Sequence, residues 1–215
     1  MRYLAEAGYV TYTISELVAQ WPGILHKNEK GIVITFDDGL LNNLTAAADI
    51  LEKYAVKATF FISTENISHQ RVRPVSSGLE YFKDTEMMSW NDLRELHKRG
   101  FEIGSHGHSH DMIAKMPEYL AREKVALSKQ ILESEVGVSI ASFAYPYGHQ
   151  GAYAPWTREM LVALGFRVGC TQSGGALSGC NDLLELPRIG IRGYDSAEVF
   201  MHKISGCYDF LRLVH

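Results

Sequence analysis

What the sequence lacks narrows its character first. Its 215 residues contain no apolar run approaching the roughly 18 that read as a membrane span. Met1 to Val10 carries Glu6 and has no apolar core of the signal-peptide kind. The three cysteines, Cys170, Cys180 and Cys207, are odd in number and show no Cys-x-x-Cys spacing. Neither a disulfide framework nor a cysteine zinc site is indicated, and a buried free thiol is the expectation. Low-complexity segments, fixed-period repeats and interdomain linkers are missing too. Positive charge is not in excess: 21 Lys plus Arg against 25 Asp plus Glu give a formal net charge of −4, which offers no electrostatic ground for nucleic acid or an anionic membrane as partner. What is present is a 46% hydrophobic chain, too apolar for disorder. Its length suits one domain over 1–215, since α/β barrels use about 200 to 250 residues as a unit.

Strand-like and helix-like periodicities alternate along it. Ile32 to Phe36 and the KATFFI run from Lys57 are short, apolar and β-prone, separated by a helical stretch through Leu44, Ala47, Ile50, Leu51 and Tyr54. Ser89 with Asp92 predicts a capping box, Leu93 and Leu96 a helical face, Gly100 its end, and FEIGSH a strand. Pro117 suits a first helical position, with Leu120, Leu127 and Ile131 as the inner stripe and Gly137 as the stop before a strand over Ile140 to Ala144. A further copy runs from Pro155 through Trp156, Met160 and Leu164 to Gly165 and the strand FRVGC. The front end, with YVTYT and then Ile14 to Gln20, keeps the rhythm. The pattern predicts a parallel sheet with right-handed crossovers, closed as a barrel or open. Glu65 to Lys83 and Ser173 to Asp182 read as surface loops.

Three clusters follow predicted strands, at the end of a parallel barrel where catalytic groups gather. In TFDDG, Asp37 and Asp38 are adjacent carboxylates that would repel in a dry site unless a cation separated their roles; the plainer reading is a solvated Asp-Gly turn. In SHGHSH, His106 and His110 stand four apart and can converge on one ion if the chain turns helically, whereas an extended chain would put His106, His108 and His110 on one face. In FAYPYG, Pro146 and Gly148 shape a turn that could aim the Tyr147 backbone N–H outward, although such a turn is usually only a turn.

Together these motifs resemble the polysaccharide deacetylase family, the enzymes with a NodB-homology domain (carbohydrate esterase family 4). The resemblance spans nearly the whole chain, including MRYLAEAGY, ISELV, KATFFI, WNDLRELHKRGFEIGSH and LPRIGI. It implies an α/β fold, a distorted and open (β/α) barrel. Asp37 then looks like the general base, and Asp38, His106 and His110 like the ligands of one divalent ion, Zn²⁺ by default with Co²⁺ or Ni²⁺ as alternatives. The Tyr147 N–H looks like an oxyanion donor, with Pro146 and Tyr147 shaping the substrate groove. Two His and one carboxylate leave an open coordination position, the pattern of catalytic zinc. The implied substrate is an acetylated glycan, cleaved to acetate and a free amino sugar, and the family points to the cell envelope or the secreted compartment.

Departures from the family pattern set further expectations. Many members have Arg at the head of the third motif; here stands Ala144, as in a subgroup resembling poly-N-acetylglucosamine deacetylases, so Arg188 of LPRIG is the candidate for the cation beside Asp37. The fourth motif has no counterpart. In that subgroup the acidic His lies on a strand upstream of the first motif; no His precedes His26 here, and His215 is the sole local substitute. A barrel missing that strand would expose an edge for pairing with a partner or a second copy. Alternatives are an O-acetyl esterase, another barrel hydrolase using His106 and His108 as ligands, and a catalytically impaired carbohydrate-binding relative.

Overall fold

The computed structural model describes residues 1–27, 30–75, 79, 82 and 84–206; Cys207 and His215 lie outside them. Strand follows helix along the chain: α1 (Arg2–Glu6), β1 (Tyr9–Tyr12), α2 (Ile14–Ala19), β2 (Lys30–Val33), β3 (Thr35–Phe36), α3 (Asp49–Lys53), β4 (Thr59–Ile62), α4 (Trp90–Lys98), β5 (Glu102–Ser105), α5 (Glu118–Val136), β6 (Ser142–Ala144), α6 (Trp156–Ala163), β7 (Val168–Cys170) and α7 (Ala197–Ile204). Strands β3 to β7 form one parallel sheet in sequence order, and β1 pairs in parallel with β2, which runs into β3 across Ile34 alone. A parallel bridge from Cys170 to Leu186 extends the far edge. The sheet curls into a half-barrel.

Side-chain alternation splits the interior into two layers. Phe60 and Ile62 of β4, Ile103 of β5 and Phe143 of β6 face outward and pack with Leu93 and Leu96 of α4, Val125 and Leu132 of α5 and Met160 of α6. Phe61, Ala144, Val168, Cys170 and Leu186 face inward and meet Tyr12, Ile14, Leu17 and Ile24. The segment containing α2 therefore fills the concave side. Gly104 of β5 also points inward, and a Cβ there would lie 2.6 Å from the Phe61 ring, so the missing side chain makes room for that ring.

Caps behave as their residues require. Ser89 and Asp92 form the capping box of α4, and Gly137 ends α5 in the left-handed region. Pro117 and Pro155 are N-caps, one residue before the first helical position expected for them. The stretch after the acidic motif begins as a π-helix over Asn43–Ala48, which rotates the face and leaves Ile50 48% exposed. In α5 the inner stripe is Ala121, Val125, Ser128 and Leu132, while Leu127 is 38% exposed. The stripe thus falls one position after the expected Leu120, Leu127 and Ile131, with Ser128 turned inward where its hydroxyl donates to the Gly107 carbonyl. Cys170 is a buried free thiol and Cys180 an exposed one; burial pushes the Cys170 thiol up to about 12, which keeps it protonated and inert.

Candidate active site and metal centre

The site lies at the C-terminal ends of the strands. Alternation along β3 turns Thr35 and Asp37 to the concave side, and Asp38 adopts φ +76°. His110 (φ +52°) and Tyr147 (φ +63°) are also left-handed. Among the described residues the only other non-glycine case is Ala55. Such backbone costs on the order of 1–3 kcal/mol per residue and persists where surrounding structure over-determines it.

Asp38, His106 and His110 offer ligand atoms that all lie within 4.8 Å of one another. Asp38 Oδ1 faces His106 Nε2 at 3.5 Å and His110 Nε2 at 3.4 Å. That oxygen is buried with no hydrogen-bond partner. Burial pushes the Asp38 carboxyl up, Asp37 adds to it, and His106 opposes. His106 Nδ1 lies 2.8 Å from the Ala144 carbonyl; a carbonyl only accepts, so Nδ1 carries the proton and the Nε2 lone pair faces Asp38. A buried carboxylate oxygen without a donor, beside an imidazole presenting a lone pair, suits a divalent cation. His108 points elsewhere, its Nδ1 2.8 Å from Thr64 Oγ1, so the alternative pairing of His106 with His108 is not what the loop brings together.

Asp37 is clamped by Arg188: Nη1 donates to Oδ1 at 2.7 Å and Nη2 to Oδ2 at 2.8 Å. The guanidinium also donates to Thr35 Oγ1 and to the Thr171 carbonyl and lies 5.6 Å from the centroid of the Phe61 ring. Burial alone would raise the Asp37 carboxyl, but Arg188, then His106, overcome it and hold the group down at about 2. Arg188, two residues beyond the bridge to Leu186, thus reaches Thr35 and Asp37 at the end of β3. Pro146 is buried and Tyr147 exposed, with the Tyr147 ring 4.9 Å from that of His110. Sequence reasoning passed over Thr35, Phe61, Thr171 and the Ala144 carbonyl; their only signal was inward register next to a motif residue.

A family model described as polysaccharide deacetylase matches residues 25–169. The YxkH protein of Bacillus subtilis (strain 168), named as a polysaccharide deacetylase, is 25% identical over 200 residues, covering 93% of this chain and 65% of its own length. A poly-beta-1,6-N-acetyl-D-glucosamine N-deacetylase of Escherichia coli (strain K12) is 25% identical over 94% of this chain and 34% of its own. The chain thus spans less than two thirds of the length of these relatives. Among solved structures, the Streptococcus pyogenes deacetylase PplD in complex with acetate superposes with a TM-score of 0.75 at 24% identity, over 94% of this chain and 83% of that one. IcaB from Ammonifex degensii gives 0.73 at 24% identity, over 89% and 81%. These superpositions share the half-barrel fold.

Proposed function

Because the chain belongs to the polysaccharide deacetylase family, we propose that it hydrolyses N-acetyl groups of an N-acetylglucosamine-containing polysaccharide or oligosaccharide and releases acetate. The observation that carries this reading is the cluster of half-buried Asp38 with buried His106 and His110 standing beside a carboxylate clamped by Arg188. The names of its relatives, which include a peptidoglycan-N-acetylglucosamine deacetylase of Bacillus cereus, support a glycan of the bacterial cell envelope.

Asp38, His106 and His110 would hold one divalent ion, Zn²⁺ by default, and carboxylate with imidazole also accepts Co²⁺ or Ni²⁺. Such an ion supplies Lewis-acid polarisation of a carbonyl and makes water more acidic, which matters because Asp37, held near 2, is a weak base. Asp37 then accepts the proton of the attacking water, its orientation fixed by the two-pronged contact with Arg188. Negative charge growing on the acetamide oxygen falls to the Tyr147 backbone N–H, in a turn set by Pro146 and Gly148. Water adds to the carbonyl carbon, the proton taken up by Asp37 passes to the amide nitrogen as the C–N bond breaks, and acetate and a primary amine result.

Acetate release should be measured from chitooligosaccharides, β-1,6-linked N-acetylglucosamine oligomers and acetylated xylan. Turnover of an N-acetylglucosamine oligomer, lost on chelation and restored by Zn²⁺ or Co²⁺, is the expected result. Cleavage of acetylated xylan alone would make the protein an O-acetyl esterase, and no acetate from any of them would overturn the reading. Asp37→Asn should retain the metal and lose roughly 10²- to 10⁴-fold in turnover.

A further inference from the structure

Helix α5 belongs to none of the motifs, yet it holds the loop that carries both histidines. Ser128, fully buried, donates its hydroxyl proton to the Gly107 carbonyl at 2.9 Å. With that proton committed, the 2.9 Å contact between Ser105 Oγ and Ser128 Oγ must be donated by Ser105. Ser105 Oγ in turn accepts the Gly107 N–H at 3.2 Å. The three bonds form a closed circuit in which both polar groups of Gly107 are used and no hydroxyl is left over. One turn earlier on the same helix face, the Lys124 ammonium contacts Ser109 Oγ at 2.7 Å and the Asp111 carboxylate. Gly107 has φ +76°, and this left-handed turn directly after His106 folds the chain back so that His110 returns beside it, ring centroids 5.1 Å apart.

We propose that Ser128 is a positioning residue of the metal centre: through Gly107 it fixes the turn that sets the spacing between His106 and His110. The proposal rests on the reading of Asp38, His106 and His110 as metal ligands. Its logic is that of groups which orient ligands from behind and whose loss weakens metal binding by about 10- to 100-fold. A serine hydroxyl buried merely for packing would alter the stability of the protein with its affinity for metal untouched.

The test is Zn²⁺ affinity by competition with a chromogenic chelator, together with the visible spectrum of the Co²⁺-loaded protein, for wild type, Ser128→Ala and Ser128→Thr. Ser142→Ala is the control, since it removes a buried hydroxyl bonded to Glu102 at 3.2 Å on the other end of the barrel. Ser128→Ala should bind Zn²⁺ about 10- to 100-fold more weakly and change the Co²⁺ bands, Ser128→Thr should restore both, and Ser142→Ala should lower the melting temperature alone. If Ser128→Ala does not fold, Ser105→Ala breaks the same circuit and must show the same loss. Wild-type affinity in Ser128→Ala with a lowered melting temperature would overturn this inference and leave the metal centre standing. A wild-type chain that binds neither Zn²⁺ nor Co²⁺ would overturn both.

Discussion

Arg188 shows how one side chain can serve two buried partners. Its guanidinium satisfies both Asp37 oxygens while lying over Phe61, so removing it strands a carboxylate that burial already disfavours. Arg188→Met should therefore lower kcat more than it raises KM, as steady-state kinetics would reveal; unchanged kcat would mean that Asp37 needs no such partner. Lysine is not an adequate substitute, since an ammonium cannot present two parallel donors. The adjacent pair Asp37 and Asp38 was visible in the sequence because its chemistry is local. The carbonyl of Ala144, which fixes the His106 tautomer, was not, because a backbone group leaves no letter to read.

At the scale of elements, the start of α4 makes a measurable claim. Asp92 accepts from Arg71 at 3.0 and 2.8 Å and from the Ser89 N–H at 2.8 Å. The Arg71 bond leads in holding its carboxyl down to about 2, against burial. The folded pKa lies below the unfolded value of about 3.9, so the stabilisation is complete above roughly pH 4 and disappears as pH falls from there through about 2. Asp92→Ala should cost about 0.5–2 kcal/mol near neutral pH, and urea melts of the two proteins should converge on acidification. In β5, Gly104→Ala would place a methyl against Phe61 and Ser142 Oγ; such overpacking costs about 1–3 kcal/mol, which thermal melts would register. Both devices differ in legibility. The Ser89 and Asp92 spacing states itself in four letters, whereas Gly104 answers a ring on the neighbouring strand. Helix α5 is the instructive miss: Leu127 is the more hydrophobic letter, but Ser128 faces in, because packing distance and a backbone partner, not hydropathy, set the register.

Across the whole molecule, the barrel has two polar ends with different duties. Glu102, at the start of β5, accepts from the N–H and hydroxyl of Ser15, from Thr59 and from Ser142, tying the α2 segment into the concave side. His106, four residues on, is roughly 13 Å away at strand rise. Glu102→Gln should thus lower stability by about 1–3 kcal/mol while leaving Zn²⁺ affinity as in wild type; a parallel loss of both would show that the two ends are coupled. The order of strands in the sheet follows the order in the chain, which made the architecture readable, while the curl that brings the two edges together had no signature of its own. That curl also sets a clock. Asp37 and Arg188 are 151 residues apart, and at ribosomal rates of about 5–20 residues per second the arginine is added roughly 8–30 s after the aspartate. Throughout that interval the nascent chain holds its acidic pair without the guanidinium that clamps Asp37, so the carboxylate stays with water until the far edge of the sheet arrives.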